Sequence, residues 1–422
     1  MAKARVLAAI DIGSSKVATL VAQHAQEEDK ISVVGVSSVP SRGIRKGQIV
    51  DIEEASQAVI ESVEAAERMA GYSVDRAFVS IGGGHIESKN SHGVVAVADP
   101  SGEITASDVA RVIDAARAIS MPEAREILHV LPREYKVDGE TLVKDPEGMS
   151  GVRLEVETHL ITGSTAAVKN IYKCVSEVGV EVQSLVFTGL ASSFSVLSDT
   201  EKELGVALID VGGGTTSITA YIEGAIACSS VFPIGGRNVT NDIAAGLRVS
   251  LDSAEQIKIQ LSGGGKSAQV GEELDLNQYG DEEGRKISKK TLIEGIIKPR
   301  LNEIFAMAQI ELQSKGIIGK IPSGVVVTGG GSLCIGAQES ARRVLSLPAR
   351  IGSPKGITGL IDEISNPAYA GAVGLLLYGS QEEGFEQQSS WSPGGLMSKF
   401  PTSLPGKGLV DRAGDLFKKL LP

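Results

Sequence analysis

The chain has 422 residues and a net charge of −11, with 42% hydrophobic and 22% charged residues, the balance of a soluble globular protein of two to four domains. The acidic balance excludes a general nucleic-acid surface, so no nucleic-acid partner is expected. No run approaches the roughly 20 apolar residues that a membrane span needs.

From the N-terminus, the apolar run after Lys3 and Arg5 covers only Val6 to Ile10 before Asp11 stops it. It therefore reads as a strand and not as a secretory signal, and the chain is expected in the cytoplasm. VLAAIDIG, KVATLVAQ and ISVVGVSSV predict three strands, DIEEASQAVIESVEAAERMAG a helix closed by Gly71, and RAFVSI a further strand. Across 84–163 the texture changes: DVARVIDAARAI predicts a helix, and EILHVLPREYKVDG and VRLEVETHLITG predict strands around Gly- and Pro-rich turns. Alternation then resumes with the helix TAAVKNIYKCVSEVG, the strands GVALIDVG and TTSITAYI, and helices at NVTNDIAAGL and SAEQIKIQL. A long helical segment interrupted near Pro299, the strand GVVVTGG and the helix AYAGAVGLLLYG complete the regular part. Residues 380–407 are rich in Ser, Gly, Gln and Pro without any period, and read as a flexible linker. Cys174, Cys228 and Cys334 lack metal-ligand spacing and read as buried thiols of a reducing compartment.

One internal echo organises the chain. LAAIDIGSSKVATLVAQ matches ALIDVGGGTTSITAYIEG, with Asp210 standing 199 residues after Asp11 and Gly212 answering Gly13. A unit of strand, Asp, Gly-rich turn and second strand that recurs once predicts a duplicated two-lobed α/β fold. Four glycine triplets carry unequal weight. SGGGKS at 262–267 lacks the earlier glycine of a P-loop and follows a helix, so it reads as a loop; IGGGHI at 81–86 reads as a junction turn into the 84–163 block. In VGGGTT, Gly212, Gly213 and Gly214 let backbone N–H groups approach phosphate oxygens, with the Thr215 and Thr216 hydroxyls as further donors. DIGSSK repeats the arrangement with Ser14, Ser15 and the positive charge of Lys16. Asp11 and Asp210 would face those phosphates, where Mg²⁺ held through its waters makes a carboxylate favourable. VVVTGGGS ends a strand in Gly329, Gly330 and Gly331, a turn that can lie against a flat base or ribose.

IDIGSSK, LIDVGGGTTS and VVTGGGS, in this order, resemble the two phosphate motifs and the adenosine motif of the actin, hexokinase and heat-shock chaperone superfamily. Within it, EILHVLPREYKVDG, HLITGSTAAVKNI, GGRNVTNDIAAGL, AEQIK and IIKPRLNEIF are similar to the FtsA family of bacterial cell-division proteins. The resemblance covers about residues 4–380. It implies an actin-like fold with first-lobe segments at 1–83 and 164–200, an FtsA-type inserted subdomain at 84–163, and a second lobe at 201–379 whose smaller subdomain spans about 236–315. It further implies ATP and Mg²⁺ in the cleft, Glu255 on the ribose, Lys258 on the adenosine side, and self-assembly into filaments. Expected partners are the tail peptide of the tubulin-like FtsZ, docking near Arg300 and Glu303, other division proteins, and the cytoplasmic face of the inner membrane at the division site. Ser217 stands where many relatives carry an acid, and Thr188-Gly189 where they often read Glu-Pro. The resemblance implies nucleotide binding, and these departures from it lead to the expectation of at most slow hydrolysis.

The C-terminal stretch 408–422 reads as an amphipathic helix. At 100° per residue, Leu409, Val410, Ala413, Leu416, Phe417, Leu420 and Leu421 share an arc of about 140°, opposite Arg412, Lys418 and Lys419. Its 13 helical residues rise about 20 Å, too short to span a bilayer but suited to the headgroup plane. The alternatives are an FtsA-like pilus-assembly ATPase, which usually lacks such a tail, and a small-molecule kinase of the superfamily, which does not need one. A chaperone ATPase would require a C-terminal peptide-binding β-domain, for which 380–422 is too short.

Overall fold

The Asp11 strand sits at the centre of its sheet because it is apolar on both faces. In the computed structural model, which describes residues 5–25, 30–263, 273–279 and 285–388, β1 (Arg5–Ile12) turns into β2 (Lys16–Ala25) and then β3 (Lys30–Pro40). A short ribbon, β4 (Ile44–Arg45) and β5 (Gln48–Ile49), leads to α1 (Ile52–Ala70). Asp51 caps this helix by accepting the Glu54 N–H, and Gly71 ends it at φ +72°, the left-handed conformation that a β-carbon disfavours. β6 (Arg76–Ile81) then runs parallel to β1.

The chain now leaves this sheet for β7 (Glu87–Ala96), α2 (Ala106–Arg117), β8 (Arg125–Val137), β9 (Glu140–Val143) and β10 (Arg153–Ser164). Their sheet, in the order β7-β10-β8-β9, is separate from the others. It has its own core of Ile104, Val112, Ala116, Tyr135, Val137, Leu154 and Val156, which lets the insertion form an independent layer. α3 (Thr165–Ser176) and β11 (Glu181–Phe187) bring the chain back, with β11 parallel to β6.

α4 (Thr188–Val196) and α5 (Asp199–Leu204) cross to the second half. There β12 (Val206–Val211), β13 (Thr216–Ile222) and β14 (Ala225–Phe232) are followed by α6 (Gly236–Leu247) and α7 (Leu251–Ser262). A ribbon of β15 (Glu273–Asp275) and β16 (Lys286–Ser288) precedes α8 (Lys289–Leu292) and α9 (Lys298–Ser314). β17 (Val325–Thr328), α10 (Ala337–Leu345), β18 (Ala349–Ile351), β19 (Thr358–Gly359), α11 (Ile361–Ile364) and α12 (Ala370–Gln388) complete the described chain.

The second sheet has the order β18-β17-β12-β13-β14, and the first has β11-β6-β1-β2-β3 with β19 added beside β3. Strand for strand these are one topology, so the sequence echo is a duplicated lobe. The hairpin-closing bonds repeat too: Gly13 N–H donates to Lys16 O at 3.0 Å, and Gly212 N–H to Thr215 O at 2.8 Å. α4 and α12 cross between the lobes where Gly374 has no β-carbon to meet the Ala191 carbonyl, and Ser195 Oγ donates to Ala370 O at 2.7 Å.

Two expectations change. α12 continues to Gln388, so its helix enters the stretch read as linker from residue 380; the tail residues 409–421 lie outside the described residues. Near Pro299 the helix widens instead of breaking. Ile293–Ile297 forms a π turn in which Lys298 N–H reaches back to Ile293 O, which accommodates a proline without an N–H.

Candidate functional site

The duplicated hairpins meet tip to tip. A β-carbon on Gly213 would lie 2.7 Å from Ser15 Cβ, and one on Gly214 would lie 2.8 Å from Ser14 Oγ. Only glycine permits this approach of the lobes. Among the described residues, the main-chain N–H groups of Ser14, Ser15, Gly213 and Gly214 donate to no protein acceptor. Facing turns with free main-chain donors are an arrangement that can accept an anion. Gly236 N–H and Arg237 N–H, at the start of α6, donate instead to Gly212 O and Gly213 O at 2.9 and 2.8 Å, which fixes the second hairpin in place. Thr216 Oγ1 is buried and donates to Ile234 O at 2.8 Å, so its proton is used inside the fold.

Behind the tips lie the two carboxylates. Burial pushes the Asp210 carboxyl up to about 6, the Ser192 hydroxyl opposes this by donating to Oδ2 at 2.6 Å, and the neighbouring Asp11 charge adds to the rise. Asp11 is also raised by burial, although Ser80 donates to its Oδ1 at 2.7 Å and Lys16 stands nearby. A buried Asp210 whose ionised form is destabilised by burial and by the charge of the part-buried Asp11 fits a site completed by a divalent cation. Lys16 does not point freely at the tips. Its Nζ stands 3.1 Å above the Tyr369 ring centroid, and burial lowers its pKa to about 8.

The remaining site residues gather around the N-terminus of α6. Lys258 Nζ donates to Glu255 Oε2 at 2.6 Å and to Thr240 Oγ1 at 2.8 Å, and reaches Gly236 O at 3.3 Å. A β-carbon on Gly236 would meet Gly331 Cα at 3.4 Å, which brings the third glycine turn to this group. Gly329, at φ +80°, has no β-carbon to meet Asp210 Oδ1, and therefore links the turn Gly329–Gly331 to the carboxylate pair. All three glycine turns thus border one cleft. Gly82–Gly84 is more than a junction: it ends β6 as Gly329–Gly331 ends β17, in the same place of the duplicated topology.

Residues 83–162 match the family model of the SHS2 domain inserted in FtsA, and residues 207–374 match that of the cell division protein FtsA. The chain is 43% identical over 380 residues to the cell division protein FtsA of Pseudomonas aeruginosa, covering 90% of each chain. It belongs to the FtsA family of cell-division proteins. The FtsA of Escherichia coli is 36% identical over 386 residues, covering 89% of this chain and 91% of its own. Among solved structures, a PilM–PilN type IV pilus biogenesis complex aligns with a TM-score of 0.63 at 16% identity, covering 89% of this chain and 98% of its own. MreB5 of Spiroplasma citri bound to ADP aligns with 0.54 at 14% identity, covering 91% and 99%. These two likenesses show the actin-like fold, and the FtsA matches set this chain apart from the pilus and kinase alternatives.

The FtsA-type expectations for Arg300 and Glu303 meet a built structure. Arg300 forms a forked pair with Asp242 of α6, Nε–Oδ2 at 2.6 Å and the second arm at 2.9 Å, and its remaining nitrogen bonds Glu303. Leu409, Val410, Ala413, Leu416, Phe417, Leu420 and Leu421 lie outside the described residues, as do residues 264–267 of the SGGGKS loop. Among the described residues no helix is long and apolar enough to cross a membrane. Sequence reasoning missed Ser80 and Ser192, which hold the carboxylates, and Tyr369 under Lys16. For Ser192 a signal exists: ASSFSV places several small hydroxyls on one helix, all buried.

Proposed function

We propose that this FtsA-family chain binds ATP with Mg²⁺ between its lobes, assembles into filaments, and tethers the FtsZ ring to the cytoplasmic face of the inner membrane through its C-terminal helix. The observation that supports nucleotide binding most strongly is the pair of facing hairpins with four uncommitted N–H donors beside the buried Asp210 and the part-buried Asp11. Ser14, Ser15, Gly213 and Gly214 would hold the phosphates, and Asp11 and Asp210 the cation's waters. Bound Mg²⁺ would neutralise phosphate and carboxylate charge together. Glu255 and Lys258 would take the ribose and adenosine edge, with Gly329, Gly330 and Gly331 against the base. MreB5, of the same fold, is recorded with ADP and with AMPPNP, and this favours the same cleft here.

For the tail, the amphipathic arc supports a headgroup-plane anchor. Its near-neutral charge makes a single tail weak, and a filament raises the effective concentration of many tails. The test is liposome co-sedimentation with ATP, comparing the full chain, the double variant Leu416→Glu/Phe417→Glu, and a chain ending at Gln388, which keeps α12 whole. Each large apolar side chain contributes about 1.5–3 kcal/mol on burial, so both altered chains should stay in the supernatant while the full chain pellets. Equal pelleting of all three would refute the anchor.

A further inference from the structure

The ribbon β4–β5 has no role in the site as described, yet its tip lies on both phosphate hairpins. Gly47 N–H donates to Ser14 Oγ at 2.8 Å, and Lys46 N lies 3.1 Å from the position a β-carbon on Gly214 would take. The tip therefore touches the first lobe's turn through Gly47 and the second lobe's turn through Lys46. Its other side rests on the root of the insertion, where a β-carbon on Gly47 would meet Gly83 Cα at 2.7 Å. The turn has φ +50° at Lys46 and +72° at Gly47, the paired left-handed conformation of a type I′ hairpin. Asparagine or glycine relaxes at the first of these positions; a lysine there is strained. Among the described residues, the exposed Lys46 and Arg45 side chains form no ion pair, whereas Arg42 is paired with Glu61 and Lys16 stands over Tyr369.

We propose that the β4–β5 ribbon is a phosphate-sensing flap whose Lys46 ammonium engages the terminal phosphate of a nucleoside triphosphate held between the two hairpins. This rests on the nucleotide site proposed above. A phosphate chain cradled by Ser14, Ser15, Gly213 and Gly214 lies directly beside the Lys46 backbone, within reach of its flexible four-carbon stem. The flap bridges the two lobes, so a contact made only with the last phosphate distinguishes a triphosphate from a diphosphate.

The test is calorimetric titration of the full chain with Mg–ATP, Mg–ADP and AMP, for wild type, Lys46→Asn, Lys46→Gln and Lys46→Arg. Lys46→Asn suits the left-handed turn and guards against simple misfolding. Both uncharged variants should lose about tenfold in ATP affinity (about 1.4 kcal/mol) with ADP and AMP nearly unchanged, and Lys46→Arg should retain most of the discrimination. Equal losses for all three nucleotides, or none, would overturn the flap while leaving the cleft intact. A wild type that binds no nucleotide would overturn the cleft reading, and the flap with it.

Discussion

At the residue scale, Asp210 carries a cost when ionised, which a bound cation would offset. Its folded pKa is raised to about 6 from an ordinary 3.8, so the native state binds the extra proton between those values. Its favourable contribution is present below pH 4 and lost as pH rises through 6, leaving a penalty of about 3 kcal/mol at neutral pH. Asp210→Asn should therefore melt several degrees higher than wild type at pH 8 without Mg²⁺, and the two should converge near pH 4. The same variant should lose Mg²⁺-dependent stabilisation by ATP. A variant that melts at or below wild type at pH 8 would sink this reading. Asp11, Gly13, Asp210 and Gly212 are legible in the sequence because strand, acid and glycine turn are local signals that occur twice. Ser80 is not, since it is a lone hydroxyl whose partner lies 69 residues away; ASSFSV marks Ser192 on a hydroxyl-rich helix without naming Asp210, 18 residues on, as its partner.

At the element scale, α6 and α9 are joined by the Arg300–Asp242 fork, with about a quarter of the Arg300 side chain exposed. An acidic peptide that docks on Arg300 must compete with Asp242 and Glu303. Glu303→Gln should free one guanidinium nitrogen and strengthen binding of an FtsZ tail peptide a few-fold, whereas Arg300→Ala should weaken it and lower stability by about 1 kcal/mol. Calorimetry with the peptide checks both; unchanged affinity in the two variants would remove Arg300 from the contact. The fork is not legible in the sequence, because periodicity places Arg300 on a helix face without saying which helix lies opposite. The π turn before Pro299 is half legible: the proline predicts a disturbance, but only the packing of α8 and α9 against the core decides between a break and a widened turn.

At the scale of the whole molecule, two copies of one topology close on each other, and the insertion spans their boundary. Ser88 Oγ of β7 donates to Ser229 O of β14 at 2.7 Å, and His159 Nε2 of β10 pairs with Ser229 Oγ at 3.1 Å. Burial lowers His159 to about 4, so near neutral pH it is an uncharged link between insertion and second lobe. The duplication is legible because the Asp–Gly turn repeats, while the insertion's seat on β14 has no local signature. The central claim is that nucleotide lies between the facing hairpins. Titrating a fluorescent ATP analogue with Mg²⁺ into wild type and Gly213→Val tests it most directly, because a side chain at 213 collides with Ser15 across the cleft. Saturable binding to wild type and a loss of at least about tenfold in the variant, with both chains folded, is the predicted result; equal affinities would contradict it.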